Sequence, residues 1–288
     1  MCFMKTSGLF TFTKYTIDFK NYGDEITLVP FGDIHRSAPL CHEEKWAEWT
    51  EYHKGKKNTY FLGMGDYDDM ASASERAVLS NRALHDSTID TIDGLYRSHV
   101  DRLCKEIGWM GDKLIGLIEG NHYGELSTGI TTTELMCEKL KCKHLGVSSF
   151  IRLILKHDKH HTNAVDIWGH HGLGGGRTAG ASINKLENMI KAANADIYLM
   201  GHDHKKHIAM QSRLRLSDSR AGLSLENRKL VMARTGGFLK GYVNEQSSYI
   251  ADKAYSPVDM GTVTITMTPK RVGELKVDKR WVELNASL

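Results

Sequence analysis

The stretch Ile26–His35 reads ITLVPFGDIH: the apolar-rich run Ile26–Phe31, of strand length, leads directly into Gly32-Asp33-Ile34-His35. An apolar run of this length, bounded by a turn, is typical of a buried β-strand. The same arrangement of an apolar run followed by glycine and polar residues occurs four more times: Thr59–Met64 before Gly65-Asp66, Lys113–Ile118 before Gly120-Asn121-His122, Ala164–Trp168 before His170-His171-Gly172, and Ile197–Met200 before Gly201-His202-Asp203-His204. Each of these five predicted strands therefore ends in residues that can bind a metal.

Helices are predicted between these strands. Residues 86–107 and 182–194 repeat apolar residues near the 3.6-residue helical period, and residues 42–54 and 131–141 are shorter helical segments. Strands that alternate with helices indicate an α/β protein. Beyond residue 205, short β-like runs separated by turn residues predict an antiparallel or mixed sheet.

Composition excludes several classes of protein. The 288 residues include 38 basic and 35 acidic side chains, and this net charge of +3 is too small to indicate nucleic-acid binding. The sequence contains no apolar run long enough to span a membrane and no signal-peptide core, so no membrane association is expected. Five cysteines without a C-x-x-C pair favour reduced thiols and a cytoplasmic location.

The polar residues at the strand ends predict one shared metal site. Open α/β sheets bind ligands at the carboxyl ends of their strands, where these five segments would converge. Asp33 and His35 are two residues apart, as are His202 and His204, so each pair points to one side of an extended segment. A set of Asp, Asn and His ligands suits a two-metal hydrolytic site with ions about 3.5–4 Å apart.

Each motif taken alone also has an ordinary structural explanation. A single Asp-x-His or Gly-Asn-His after a strand is most often a turn, whereas paired histidines such as His202 and His204 are uncommon without a ligand role. Packing alone gives no reason for five such loops to follow five strands. The joint occurrence therefore favours the metal site.

The order D-x-H, G-D-x-x-D, G-N-H, H-G and G-H-x-H, spanning Asp33 to His204, resembles that of the calcineurin-like metallophosphoesterases. The resemblance implies a four-layer αββα sandwich with two mixed sheets. It implies one domain over residues 1–288, in which 205–288 contribute mainly strands of the second sheet. It also implies two divalent ions (Mn, Fe, Zn or Ni, with Mn favoured), one held by Asp33, His35, Asp66 and His204 and the other by Asp66, Asn121, His171 and His202.

The same resemblance implies that His122 donates a proton to the leaving group. Family members often carry an acidic residue after G-N-H, but Tyr123 stands there in this chain, so His122 could pair with another carboxylate such as Asp69. Either His170 or His171 could supply the fourth motif. His171 is preferred because it directly precedes Gly172, and His170 could support a ligand from behind.

These features predict a hydrolase of phosphate esters that uses a dinuclear metal centre and a bridging hydroxide. A small phosphomonoester or phosphodiester is the favoured substrate, with Arg177 as a possible phosphate ligand. One alternative is a DNA or RNA nuclease of the same superfamily, which keeps nucleic acid among the possible partners. An alternative of another class is an inactive protein-binding scaffold. The sequence does not determine the oligomeric state.

Overall fold

The computed structural model describes residues 10–80, 84–174, 178–219, 222–243, 251, 257–274 and 277–288. The strands are β1 (Thr11–Asp18), β2 (Ile26–Phe31), β3 (Thr59–Gly63), β4 (Leu114–Leu117), β5 (Lys143–His144), β6 (Ser148–Lys156), β7 (Thr162–His170), β8 (Ile197–Met200), β9 (Lys206–Ser219), β10 (Gly222–Gly237), β11 (Gly261–Thr262), β12 (Thr264–Glu274) and β13 (Val277–Ser287). The helices are α1 (Glu43–His53), α2 (Ala73–Ser80), α3 (Asp86–Ile107), α4 (Thr132–Leu140) and α5 (Ala179–Ala192), with a 3₁₀ helix at Gly108–Lys113.

The strands form two mixed sheets. The seven-stranded sheet has the order β1-β6-β7-β8-β10-β11, with β9 also paired to β10, and the six-stranded sheet has the order β13-β12-β2-β3-β4-β5. Strands β2, β3 and β4 run parallel to one another, as do β7, β8 and β10 in the other sheet. Parallel neighbours bring their carboxyl ends to one edge of a sheet, so the polar segments that follow these strands lie together.

A continuous apolar core joins the two sheets. Leu28, Leu62 and Ile265 from the six-stranded sheet are fully buried in the same cluster as Ile167 and Val231 from the seven-stranded sheet. Side chains alternate between the two faces of a strand, so the next residues along each strand face outward. Each sheet therefore needs a second apolar layer on its outer face.

Helices supply those outer layers. On the six-stranded sheet, Trp46 of α1 and Leu103 of α3 pack with Phe31 and Phe61, and on the seven-stranded sheet Leu186 of α5 packs with buried residues of β8 and β10. The layers are thus helix, sheet, sheet and helix, which confirms the predicted αββα sandwich. None of the described helices is long and apolar enough to cross a membrane.

The element boundaries agree with the sequence prediction where the pattern was strong. Strands at 26–31 and 197–200 and the helix at 86–107 have the predicted bounds, whereas α5 begins three residues before the predicted 182. The C-terminal region divides its strands between the sheets, because β9, β10 and β11 extend the seven-stranded sheet and β12 and β13 extend the six-stranded sheet. The single domain over residues 1–288 stays a prediction.

The inter-sheet core gives a direct test of the packing. Leu28→Ala should lower the free energy of unfolding by about 2–5 kcal/mol, because Leu28 is fully buried between the two sheets and the smaller side chain leaves a cavity there. Leu95→Ala on α3 is the matched control: its side chain is 53% exposed, so the change should stay within about 0.5 kcal/mol. Equal losses in urea unfolding would contradict this layering.

Candidate metal centre

The loop after β2 is held against the loop after β3 by backbone hydrogen bonds. The N–H groups of Ile34 and His35 both donate to the Asp66 carbonyl, at 2.8 and 3.1 Å, and the N–H of Asp33 donates to the Gly65 carbonyl at 2.9 Å. These bonds continue the β2–β3 pairing beyond the last strand residues. They place the Asp33, His35 and Asp66 side chains at the same edge.

The backbone at this edge is strained. Five of the seven described non-glycine residues with positive φ are predicted ligands: Asp33, His35, Asp66, His202 and His204, with φ between 47° and 72°. A left-handed backbone costs free energy in residues with a Cβ and persists where the surrounding structure enforces it. Concentration of this strain at the predicted ligands indicates that the fold holds these side chains in place.

Two glycines allow the loops to approach one another. Gly65 has φ 101°, and a Cβ there would lie 2.5 Å from His171 Nδ1 and 2.7 Å from the Gly120 Cα. A Cβ on Gly120 would overlap the Asp66 carboxylate. Any larger residue at either position would therefore push Asp66 away from the loops after β4 and β7.

One group of potential ligands contains Asp33, His35 and His204. One ligand atom from each of these residues lies within 4.8 Å of the other two. Asp33 Oδ2 accepts the His202 N–H at 2.8 Å, and the His35 and His204 rings stack with centroids 5.1 Å apart. The three side chains come from the loops after β2 and β8, which belong to different sheets.

A second group contains Asp66, His171 and His202, again within 4.8 Å, with Asn121 beside them. His171 Nε2 lies 3.0 Å from Asn121 Oδ1, 3.2 Å from Asp66 Oδ2 and 3.2 Å from His202 Nδ1. His171 Nδ1 faces the Met64 carbonyl at 2.8 Å, so it donates its proton there and directs Nε2 towards the other ligand atoms.

The donor set fits a divalent transition ion. Asp33 Oδ1, His35 Nε2 and His204 Nδ1 are buried, and none has a hydrogen-bond partner among the described residues. Unpaired buried polar atoms are costly and call for an ion, a water or another explanation. Imidazole nitrogens with carboxylate and amide oxygens suit Mn, Fe, Ni and Zn. These residues could therefore hold metal, as the sequence suggested.

Burial and the charges of neighbouring side chains determine the protonation states of the ligand candidates. Burial lowers the pKa of His202 to about 4 and that of His204 to about 3, which leaves both imidazoles neutral at pH 7 and able to ligate. Burial also raises the pKa of Asp33 to about 7. Burial opposes the charged forms of Asp66 and His171 too, but their mutual attraction holds the Asp66 pKa well below its usual range and raises that of His171 to about 9.

His122 lies beside the ligands with a carboxylate partner. Its Nδ1 is 2.5 Å from Asp69 Oδ1, and the same Asp69 oxygen is 3.6 Å from His35 Nδ1. The Asp69 pKa is well below its usual range, chiefly because of the hydrogen bond with His122. Asp69 therefore orients His122, and Nε2 is left as the nitrogen of the His122 ring that can face a substrate.

Tyr123, which follows His122 where an acidic residue could have stood, packs against an arginine. The Arg76 guanidinium lies 3.7 Å from the centroid of the Tyr123 ring, and its Nη1 donates to the carbonyls of Asn121 and Tyr123, each at 2.9 Å. Arg76 comes from α2, a helix that the sequence analysis did not predict. The pair fixes the backbone that carries Asn121 and His122.

A buried ion pair supports the G-H-D-H loop. Arg234 on β10 is fully buried, and its Nη1 donates to the Gly201 carbonyl at 2.9 Å. Its Nε lies 3.5 Å from Asp203 Oδ2 and donates to the Ser182 carbonyl at 3.2 Å. Asp203 stands between His202 and His204, so Arg234 holds the backbone from which both histidines project. Sequence reasoning missed Arg234, because only the β8–β10 register brings it to this loop.

A second buried carboxylate links two site loops to α3. Asp68 Oδ2 lies 3.3 Å from Arg102 Nη2 and 3.3 Å from His99 Nδ1, and Arg102 also donates to Ser37 Oγ at 2.7 Å. Asp68 follows the loop of Asp66, and Ser37 follows the loop of His35. This network was also missed, since no spacing in the sequence relates α3 to these loops.

The structure brings together eight of the nine predicted site residues: Asp33, His35, Asp66, Asn121, His122, His171, His202 and His204. His170 is not in either ligand group, and its Nδ1 accepts the Gly172 N–H at 2.8 Å. Arg177 lies outside the described residues.

Removal of Arg234 should weaken the G-H-D-H loop. Arg234→Met leaves the Asp203 carboxylate buried without its cation, so the free energy of unfolding should fall by about 3–5 kcal/mol in urea denaturation. Arg228→Met on the same strand is the control, because the Arg228–Asp196 pair is 3.7 Å long and Arg228 is exposed, so its loss should stay below about 1 kcal/mol. Similar losses for both variants would show that the buried pair has no special role.

Comparison with known proteins yields structural similarity alone. No family model and no curated protein matches the chain. One similar solved structure is a conserved uncharacterized protein, a predicted phosphoesterase, from Streptococcus pneumoniae: it is 11% identical, the match covers 90% of this chain and 99% of that one, and the TM-score is 0.32. Another is vacuolar protein sorting 29 from Cryptosporidium parvum, at 12% identity, 93% and 99% coverage and a TM-score of 0.30.

TM-scores this low leave the fold to be defined by the layers and strand order described above. In that αββα architecture, with the five motifs in order at the strand ends, the chain resembles the calcineurin-like metallophosphoesterases.

Proposed function

We propose that the protein is a metal-dependent phosphoesterase that acts on small phosphate monoesters or diesters. The observation that carries the proposal is the convergence of ligand atoms at one sheet edge. Three of them, on Asn121, Asp66 and His202, lie 3.0–3.2 Å from His171 Nε2. Three more, on Asp33, His35 and His204, are buried without a hydrogen-bond partner among the described residues. Such a set of nitrogen and oxygen ligands is expected of a two-metal hydrolytic site.

Asp66 is the residue proposed to contact both ions. Its Oδ2 faces His171 at 3.2 Å and His35 at 3.7 Å, and these histidines belong to the two different ligand groups. Its Oδ1 accepts the N–H groups of Asn121 and His122 at 2.7 and 2.9 Å, which fixes the carboxylate plane. Divalent ions bound here would stabilise charge on the phosphoryl oxygens and lower the pKa of the attacking water.

His122 is the proposed general acid. Its Nδ1 is held by Asp69, so the ring presents Nε2 to the leaving oxygen, and a proton from Nε2 would prevent that oxygen from departing as an alkoxide. The His122 side chain is partly exposed, at 27%, so a substrate can reach it. Asp69 acts through His122 and is a positioning residue.

The location of the three basic runs of the sequence favours a small substrate over nucleic acid. The basic runs at 54–57 and 139–144 precede or enter the parallel strands β3 and β5, and the run at 156–161 forms the turn between β6 and β7. All three therefore lie at the edge of the sheets opposite the ligand groups. A nuclease needs a basic surface that leads to the reacting phosphate. We also propose Arg177 as a phosphate ligand, because it stands six residues after the ligand candidate His171 in the sequence.

Metal content distinguishes the two histidines of the fourth motif. We expect the wild-type protein to hold two divalent ions per chain and His171→Ala to lose at least one, because His171 Nε2 lies at the centre of its ligand group. His170→Ala is the matched control and should keep both, since His170 bonds the backbone of Gly172. Elemental analysis of dialysed protein measures the stoichiometry.

Metal-free wild-type protein, with no response of activity to added Mn, Fe, Ni or Zn, would contradict the proposal. Loss of metal in His170→Ala but not in His171→Ala would reverse the assignment of the ligand.

Leaving-group dependence tests the role of His122. His122→Ala should keep its metals and lose a factor on the order of 10²–10⁴ in kcat on alkyl phosphate esters, with a much smaller loss on nitrophenyl esters, whose leaving group needs no proton. Asp69→Asn should show the same selectivity with a smaller loss. The control is His161→Ala, which removes a similar histidine–carboxylate pair, 2.6 Å from Asp158, at the remote β6–β7 turn.

An equal loss on both ester types would remove His122 from the role of general acid. Efficient metal-dependent cleavage of DNA at moderate salt, with weak turnover of small esters, would instead favour the nuclease.

A further inference from the structure

The β9–β10 hairpin extends beyond the body of the seven-stranded sheet. Strand β10 pairs with β8 only from Val231 to Arg234, whereas its pairing with β9 continues out to Gly222 opposite Ser219. Residues 212–219 and 222–229 therefore form a two-stranded ribbon, which we call the arm. Since β10 runs parallel to β8 towards the ligand groups, the arm projects from the opposite edge of the sheet.

The two faces of the arm differ in polarity. Leu216 lies directly opposite Leu225, and the alternation of side chains puts Leu214 and Leu223 on the same face. The other face carries Arg213, Arg215, Glu226 and Arg228. The arm is thus an amphipathic ribbon with a charged face and a leucine face, on which Asn227 lies opposite Leu214 and Asp218 lies opposite Leu223, at the two ends of the leucines.

Within the part of the chain that the structure describes, nothing covers the leucine face. The four leucines are 63–68% exposed, although the same face of β10 continues inward to Val231, which is fully buried between the two sheets. The charged face is anchored at its base, where Arg213 donates to Asn194 Oδ1 at 2.6 Å next to α5. A two-stranded ribbon gains little stability in water unless one face packs on something.

We propose that the leucine face is a dimer interface that binds the arm of a second copy of this chain. The leucine pattern matches itself: each strand contributes Leu-x-Leu, and a twofold rotation about the Leu216–Leu225 pair exchanges Leu214 with Leu223. The four side chains form a diagonal band with this internal symmetry. In the dimer, a twofold axis would lie in the plane of the interface and run along the band. It would place the band of one copy face to face with the same band of the other, as an isologous interface requires.

The available area predicts a weak dimer. A leucine side chain has on the order of 120 Å² of apolar surface, and about two thirds of it is exposed at these positions, so the eight leucines of two arms would bury roughly 600 Å². Because about 60% of an interface is apolar, the total is about 1,000 Å². This value lies at the lower limit for specific complexes, so association should depend on concentration in the micromolar range.

This interface is independent of the proposed catalytic function. The ligand groups follow the carboxyl ends of β2, β3, β7 and β8, and the arm lies at the other edge, so disruption of the dimer should leave metal content and turnover unchanged.

Sedimentation velocity over a concentration series, from low to several hundred micromolar, tests the proposal. The wild-type chain should shift from monomer to dimer, and Leu216→Glu should remain monomeric because it places a charge at the centre of the band. Ser224→Glu is the matched control, since Ser224 faces the charged side of the same ribbon and should dimerise like the wild type. The double variant Leu214→Ser/Leu223→Ser, which should also be monomeric, provides the test if Leu216→Glu does not fold.

A wild-type chain that stays monomeric throughout the series would overturn the proposal. So would a dimer that survives both leucine variants, because another surface would then hold the copies together. Equal dissociation by Ser224→Glu and Leu216→Glu would also contradict it, since the effect would then follow added charge and not the leucine face.

Discussion

The Asp66 carboxylate connects four loops of the site through its two oxygens. One oxygen accepts backbone N–H groups from the loop after β4, and the other faces imidazoles from the loops after β2 and β7. The residue reaches this position with a left-handed backbone at φ 48°, between two glycine contacts that leave no space for a Cβ. Asp66 therefore contacts a histidine of each ligand group, His35 and His171, and its displacement would disturb both groups.

The site brings together buried polar side chains whose ligand atoms repel one another and are shielded from water. Ligand atoms of Asn121, Asp66 and His202 lie 3.0–3.2 Å from His171 Nε2, and burial lowers the pKa of His202 and His204 so that both are neutral at pH 7. The rest of the structure opposes relaxation of this arrangement. Arg234 donates a hydrogen bond to the Gly201 carbonyl, and Arg76 donates one to the Asn121 carbonyl. The two sheets fix the strands from which the loops project. A divalent cation would offset the unfavourable proximity of the acceptors.

Much of the fold and the site could be predicted from local sequence. Buried parallel strands such as β2 and β8 are rich in apolar residues and are followed by glycine, so both the strand and its polar continuation are visible in one short segment. The ligands share those segments, and their order carries the family resemblance. The packing of Trp46 against Phe31 in the outer helix layer likewise follows from an ordinary amphipathic helix.

Features that depend on long-range pairing could not be predicted in the same way. Strand β1 pairs with β6 across more than a hundred residues, and its polar alternation gives little sign of a buried strand. Nothing in the local sequence distinguishes Arg234 from other strand residues. Only the strand register places it opposite Met200, where its guanidinium donates to the Gly201 carbonyl. The arm was also unforeseen, because its outer half lacks the apolar run that marks a buried strand. The contact of His122 with Asp69 was one of the options predicted from the sequence. Only the fold shows that the loops after β3 and β4 bring the two side chains together.

Anomalous diffraction from crystals grown with Mn²⁺ tests most directly whether one carboxylate, that of Asp66, organises two cation sites. We expect two anomalous peaks about 3.5–4 Å apart on either side of Asp66, one next to Asp33, His35 and His204 and the other next to Asn121, His171 and His202. Peaks located elsewhere on the chain, or a site from which Asp66 is absent, would contradict this expectation.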